Sequence, residues 1–288
     1  MNQIKVLHVE PTDVCNLECP LCPRETDSNF DKKSKNHLSV DQIKTLFDKD
    51  FLKNLNKMFM CGNYGDPAAG KHSVEIYEYF RTINPTIQLG MNTNGSLRDT
   101  DYWKYLGKNI FNRHGDYVLF SIDGVKDTNH IYRVNSDWDK IINNATAFIS
   151  AGGQAQWDML VYAHNEHQVG EAEQLAKSMK FKHFRAKVSK RKSTVDWLNP
   201  PINWKRPHIS DGIIDCIAER EKSLYISATG KVYKCCWLGL ESENTLDKFK
   251  NIKKTWNTTN CHPMCKNTCT KQNDLNNFAS QWVKDTPL

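Results

Sequence analysis

The chain has 288 residues, 39% of them apolar and 25% charged, the make-up of a globular protein with one sizeable core or a core plus a small module. No apolar run approaches the roughly 18–20 residues of a membrane span, and the N-terminus carries no export signal, so a cytoplasmic protein without membrane contact is expected. The formal charge of +6 is modest; basic residues gather at 180–192 and 248–254, read as solvated faces, with no nucleic-acid-binding signature beside them.

The first predicted element is a strand over residues 4–9 (IKVLHV), rich in β-branched residues and ended by Glu10-Pro11. Ser39 then caps a helix over 40–55 that carries Val40, Ile43, Leu46 and Phe47 on one face. A strand over 57–61 ends at the glycine-rich GNYGDP (62–67). A helix follows over 72–83, and a strand over 86–91 stops at NTNG (92–95). Next come a helix over 100–111, a strand over 117–122, and a helix over 138–151 with Ile141, Ile142, Ala145 and Phe148 on one face. A strand over 155–161, a helix over 166–179 and a sixth strand over 183–188 complete the series. Strand alternating with helix specifies an α/β fold with a parallel sheet. Six strands are two short of a closed eight-stranded barrel. The pattern breaks near residue 195 at NPPINWKRP, a linker, and beyond it only two short strand-like pieces appear, 224–227 and 231–235.

Ten cysteines fall into two groups. Cys15, Cys19 and Cys22 follow the first strand; Cys216, Cys235, Cys236, Cys261, Cys265 and Cys269 lie near the C-terminus; Cys61 stands alone between them. A chain with an adequate core and no export signal has no need of a disulfide framework, so both groups read as metal or cluster sites. Three closely spaced thiolates can ligate three irons of a [4Fe–4S] cube. With no fourth cysteine nearby, one iron stays open to substrate.

The stretch CNLECPLC (15–22) resembles the radical SAM enzymes, whose hallmark is this spacing at the end of the first barrel strand. The resemblance implies a partial (β/α)6 TIM-like barrel, here residues 1–195. It also implies a catalytic [4Fe–4S] cluster on Cys15, Cys19 and Cys22, with S-adenosylmethionine (SAM) chelated at the open iron. One-electron cleavage of SAM then yields methionine and a 5′-deoxyadenosyl radical that abstracts hydrogen from a substrate. Further family motifs come in the family's order. GNYGDP is similar to the motif that contacts the methionine amino group, which assigns Gly62, Asn63, Tyr64, Gly65 and Asp66 to SAM; Asp66 stands where the family usually has Glu. NTNG supplies Asn94, SIDG (121–124) supplies Ser121 and Asp123, and NHIYR (129–133) supplies Arg133. A planar guanidinium suits the SAM carboxylate. Gln156 on the fifth strand is a candidate for the ribose hydroxyls. Leu21 replaces the aromatic residue usual before the third cysteine, and Lys187 is read as a surface lysine.

In the second group Gly230 precedes Cys235 by five positions, and CHPMCKNTC supplies Cys261, Cys265 and Cys269. Residues 249–256 are similar to a helix found ahead of the late cysteines in the family's cluster-bearing extensions. Residues 196–288 thus resemble a SPASM domain or its shorter twitch version. One auxiliary [4Fe–4S] cluster is implied, on Cys216, Cys235 and two of Cys261, Cys265 and Cys269, with Cys236 spare; zinc is the alternative occupant. Cys61 is read as a buried thiol. Such enzymes oxidatively modify peptide or protein side chains and take electrons from a flavodoxin- or ferredoxin-like donor. The alternatives are radical dehydrogenation or epimerisation of a small molecule (a sugar or nucleotide-like compound), with Cys61 or Cys236 as hydrogen-atom donor, and a non-catalytic iron–sulfur electron-transfer protein. Nucleic acid is the least favoured partner, kept open by the basic run at 180–192.

Overall fold

The computed structural model describes residues 4–189, 191, 195–202, 214–240, 265 and 269. In chain order its elements are β1 (Val6–Val9), α1 (Pro23–Thr26), α2 (Val40–Leu46), α3 (Lys49–Lys53), β2 (Lys57–Met60), α4 (Ser73–Ile83), β3 (Gln88–Thr93) and α5 (Thr100–Tyr105). Then come β4 (Tyr117–Ser121), α6 (Asn129–Tyr132), α7 (Trp138–Ser150), β5 (Ala155–Val161), α8 (Val169–Ser178), β6 (His183–Val188), α9 (Ile217–Arg220), β7 (Ser223–Ile226) and β8 (Val232–Tyr233). The six expected strands are β1 to β6, and β5 and β6 have the bounds read from sequence.

Two expected helices differ in detail. The helix expected over 40–55 is two helices. Ser39 and Gln42 form a capping box at the start of α2, and the Asp48 carboxylate then accepts from Phe51 N at 2.7 Å to begin α3. A second N-cap inside the run ends the first helix and restarts the next. Phe47 and Phe51 stack across the break at 4.7 Å, so the apolar face continues through it. The helix expected over 100–111 passes from α5 into a π-helical turn at Leu106–Ile110.

The described residues form two compact units, one drawn from residues 4–14, 33–89, 214–240, 265 and 269, the other from residues 15–32, 90–189, 191 and 195–202. In the first, β1 lies between β2 and β7, parallel to both, with Val6 opposite Lys57 and Ser223; β8 runs antiparallel to β7. Leu7, Val9, Met58, Met60 and Ile226 are fully buried. Asn84, at the end of α4, donates from Nδ2 to the carbonyls of Leu52, Lys53 and Leu55. Leu52 and Lys53 are the last residues of α3, where carbonyls lack the N–H donors of a following helical turn, and Leu55 lies just beyond it. β7 and β8, the two strand-like pieces beyond the linker, complete the sheet at β1, whose outer edge they cover.

In the second unit the order is β6-β5-β4-β3, with Gly90 opposite Tyr117, Val118 opposite Ala155 and Gln156 opposite His183, all parallel. Its core is aromatic. Trp103, Phe120, Phe148, Trp157, Phe181 and Phe184 are fully buried, with Trp103 to Phe120 at 5.2 Å and Trp157 to Phe181 at 5.4 Å between ring centroids. Tilted and edge contacts of this kind suit the charge distribution of the rings. On α7, Ile141, Ala145 and Phe148 face this core as expected, Ile142 is half-buried, and buried Asn144 donates to the carbonyls of Gly95 and Leu97. The strand order is β6-β5-β4-β3-β2-β1-β7-β8, and β1 to β6 are the six parallel strands of a partial (β/α)6 barrel. No helix among the described residues is long and apolar enough to cross a membrane.

Candidate functional site

The first cysteine group belongs to the second unit. Cys19 is 8% exposed and Cys15 and Cys22 are half-buried. They pack with Leu17, Leu21, Tyr132, Tyr162 and Leu198. The loop turns tightly, Cys22 N donating to Cys19 O at 2.9 Å, and Glu18 N reaches Val134 O at 3.2 Å. Three N–H donors point at the sulfurs: Leu17 N to Cys15 Sγ at 3.4 Å, Asn94 Nδ2 to Cys15 Sγ at 3.8 Å, and Arg133 Nη1 to Cys19 Sγ at 3.8 Å. Burial pushes the free Cys19 thiol up to about 11, so a metal that binds there displaces a tightly held proton. Apolar walls with N–H donors on sulfur fit an anionic iron–sulfur cluster, whose potential responds to such donors.

Arg133 is fixed from behind. Its Nε donates to Asp123 Oδ2 at 2.6 Å, and Asp123, 0% exposed, also accepts from Leu160 N at 2.6 Å. Burial pushes the Asp123 carboxyl up, while the Arg133 charge and the Leu160 N–H oppose it. Burial alone would lower the guanidinium; the Asp123 charge outweighs it and keeps Arg133 protonated. Asn94 is held by Asn16 Oδ1 at 3.0 Å, and its own Oδ1 accepts from Ser96 N at 2.8 Å.

Strand register relates the remaining expected residues. Ser121, Asp158 and Arg185 stand at one level of β4, β5 and β6; Asn92, Leu119, Gln156 and His183 stand at the level before. Residues two apart share a face, so Ser121, Gln156, Asp158, Arg185 and Lys187 lie on the same side of the sheet. Arg185 binds Asp158 through Nε at 3.0 Å and Nη2 at 2.5 Å, and Lys187 Nζ reaches the same carboxylate at 2.5 Å. Burial opposes ionisation of Asp158, but Lys187 and Arg185 together hold its carboxyl below the usual range. Lys187 is thus a half-buried partner in an ion triad. Sequence reasoning missed Asp158 and Arg185, although polar residues at every second position, Gln156 and Asp158 on β5 and His183, Arg185 and Lys187 on β6, were the available signal.

In the first unit, the glycine-rich motif forms a loop against the segment after β1. A Cβ on Gly62 would lie 2.0 Å from Gly65 O, and one on Gly65 would lie 2.0 Å from Thr12 O, so backbone fills the space a side chain would need. Asp66 accepts from Ala68 N at 2.9 Å and caps the turn Pro67–Ala69. Asn63 Nδ2 donates to Cys236 O at 2.8 Å, and Tyr64 N and Gly65 N donate to Glu10 Oε1 at 2.7 and 3.2 Å. Glu10 is 1% exposed and escaped the sequence reading, since a carboxylate beside a proline at a strand end carries no motif of its own.

The same unit holds the second cysteine group. Cys216, Cys235, Cys236, Cys265 and Cys269 line one cavity of about 290 Å³ together with His8, Phe59, Tyr225 and Trp237. Cys269 N donates to Cys265 O at 2.8 Å. Burial pushes the Cys235 thiol up, against the backbone N–H groups of Leu238 and Trp237, which donate to its sulfur; the Cys216 and Cys269 thiols lie close enough to raise it further. The nine described cysteines are free thiols; Cys261 lies outside the described residues, as do 248–254. Among the described residues no three His, Cys, Asp or Glu side chains converge closely enough to hold a single ion. The second group is instead spread round a cavity wall.

A family model described as the Radical SAM superfamily matches residues 9–176. No curated protein matches the sequence. Among solved structures, SuiB from Streptococcus suis aligns with a TM-score of 0.64 at 11% identity, over 85% of this chain and 63% of that one, so the chain spans just under two thirds of SuiB. SuiB bound to its precursor peptide SuiA gives 0.62 at 13% identity, over 85% and 62% of the two chains. His-tagged anSMEcpe with bound SAM gives 0.60 at 18% identity, over 84% and 74%. At such identities these likenesses establish the fold.

Proposed function

Because the chain belongs to the radical SAM superfamily, whose enzymes carry a [4Fe–4S] cluster and SAM, we propose that it is an oxidoreductase in which Cys15, Cys19 and Cys22 hold that cluster. When bound, the reduced cluster supplies the electron that splits SAM into methionine and a 5′-deoxyadenosyl radical. The observation that carries the reading is the arrangement at Cys19, where a guanidinium locked by a buried carboxylate donates to the sulfur. In this reading Arg133 and Ser121 receive the SAM carboxylate, the backbone of residues 62–65 receives its ammonium, and Gln156 its ribose. Asp123 holds Arg133 in place, and Asn94 orients Cys15.

The proposed substrate is a peptide or protein side chain. Support comes from solved neighbours captured with peptides, SuiB with SuiA and anSMEcpe with the Cp18Cys peptide. The Asp158–Arg185–Lys187 triad, on the face of the sheet shared with Ser121 and Gln156, is suited to orient a polar substrate. The cavity wall supports Cys216, Cys235, Cys265 and Cys269 as ligands of one auxiliary [4Fe–4S] cluster in a module over 196–288, following a barrel over 1–195. That cluster would accept an electron from the substrate, and a flavodoxin- or ferredoxin-like protein would feed the first.

The test is anaerobic reconstitution, then addition of dithionite and SAM and quantification of 5′-deoxyadenosine. The reading expects roughly eight irons per chain, as two cubes require, and product that disappears in C15A, C19A and C22A. Two intact clusters that bind SAM and are reduced but release no 5′-deoxyadenosine would overturn it in favour of electron transfer.

A further inference from the structure

Glu10 presents an arrangement that the cluster chemistry does not require. It follows β1 directly and is 1% exposed. Three consecutive backbone N–H groups, those of Asn63, Tyr64 and Gly65, donate to its carboxylate. The Tyr225 hydroxyl on β7 donates to Oε2. Asn63 Nδ2 in turn reaches the Tyr225 hydroxyl at 3.4 Å. Successive N–H groups closing round an anion form a nest. Here the anion is part of the protein rather than a ligand.

The nest fixes the opposite side of the loop as well. There are no cis peptide bonds in the described chain, and in a planar trans peptide the carbonyl points opposite to the N–H that follows it. With the N–H groups of residues 63–65 turned onto Glu10, the carbonyls of Gly62, Asn63 and Tyr64 point away from it. A row of carbonyl oxygens backed by a buried negative charge is a site for a cation with several N–H donors, such as a primary ammonium.

We propose that Glu10 is the positioning residue of the glycine-rich motif, turning its carbonyls outward and lending them negative charge so that they select the ammonium group of SAM. Tyr225 holds Glu10 in this position. The inference rests on the assignment of residues 62–65 to SAM. Burial pushes the Glu10 carboxyl up to about 7, against the hydrogen bonds from Tyr225 and the loop, so its charge varies across the neutral range. Of the titratable groups around it, burial pushes Tyr225 and Cys236 up and lowers His8 to about 4, so these three do not change charge there.

The test is equilibrium binding to the anaerobic, reconstituted, unreduced protein, with two probes: SAM, and 5′-methylthioadenosine, which keeps the nucleoside and sulfur but lacks the amino-acid group. E10Q preserves shape and removes charge; Y225F removes the hydroxyl. Iron content and circular dichroism certify folded, loaded variants. At pH 8, E10Q is expected to weaken SAM roughly tenfold and leave methylthioadenosine unchanged, with Y225F weaker in the same direction. The ratio of wild-type to E10Q affinity for SAM is expected to shrink as the pH falls from 8 to 6. Equal SAM affinity in wild type and E10Q, or equal weakening of both probes, overturns the inference while the site assignment stands. Failure of the wild-type protein to bind SAM overturns the assignment and the inference with it.

Discussion

At Arg133 the side chain is 17% exposed and Asp123 behind it is 0% exposed. The pair separates charge from orientation. D123N keeps the volume but removes the charge that anchors the guanidinium, and loss of such a supporting partner typically lowers activity about 10- to 100-fold. That drop is expected in 5′-deoxyadenosine formation with iron content unchanged. D123A leaves the guanidinium without its partner, and a loss of about 3 kcal/mol is expected in urea unfolding. Glu10 and His8 act on stability in opposite windows. Glu10 has a raised folded value, about 7 against 4.5. The unfolded chain ionises it more readily, and stability falls as the pH rises through that interval. His8 has a lowered value, about 4 against 6.5, so its burden appears only as the pH falls below 6.5. Between pH 6.5 and 7.5 Glu10 acts alone of the two. Wild type is expected to lose on the order of 1 kcal/mol there relative to E10Q, read as a widening difference in urea midpoint.

Among the elements, the glycine-rich loop is the least tolerant of change. G62A and G65A each place a methyl 2.0 Å from a backbone oxygen, which no rotamer relieves. Either variant is expected to lose SAM binding while β1 and β2 stay paired, seen as retained far-ultraviolet circular dichroism. S39A, which breaks a half-exposed capping box in the same unit, should cost only about 1 kcal/mol. The sequence carried much of this layout. The six parallel strands were legible because short apolar runs and helical periodicity alternate along the chain, and the cysteine spacing was legible because ligand sets are local. Register was not. Asp158 beside Arg185, and Glu10 under residues 63–65, are contacts between strands and loops far apart in the chain, and no local pattern encodes which residues face one another. The split between α2 and α3 lay between these cases: Asp48 is a cap that could be read, hidden inside a run whose apolar period passes through it.

For the whole molecule, the proposed second cluster separates radical generation from the oxidation of the substrate radical. C235A is expected to lower the iron content from roughly eight to about four per chain and to leave SAM cleavage in place, measured as 5′-deoxyadenosine formed without modified substrate. The partnership of β1 with β7 has a consequence for the birth of the protein. Val6 is made before Ser223, which stands opposite it in the finished sheet and follows more than two hundred positions later in the chain. At about 5–20 residues per second, one edge of the first strand waits roughly ten to forty seconds for its neighbour to leave the ribosome. Over that interval the nascent chain carries an open strand edge, a template for wrong pairing. The unfinished sheet needs shelter until β7 arrives to cover that edge.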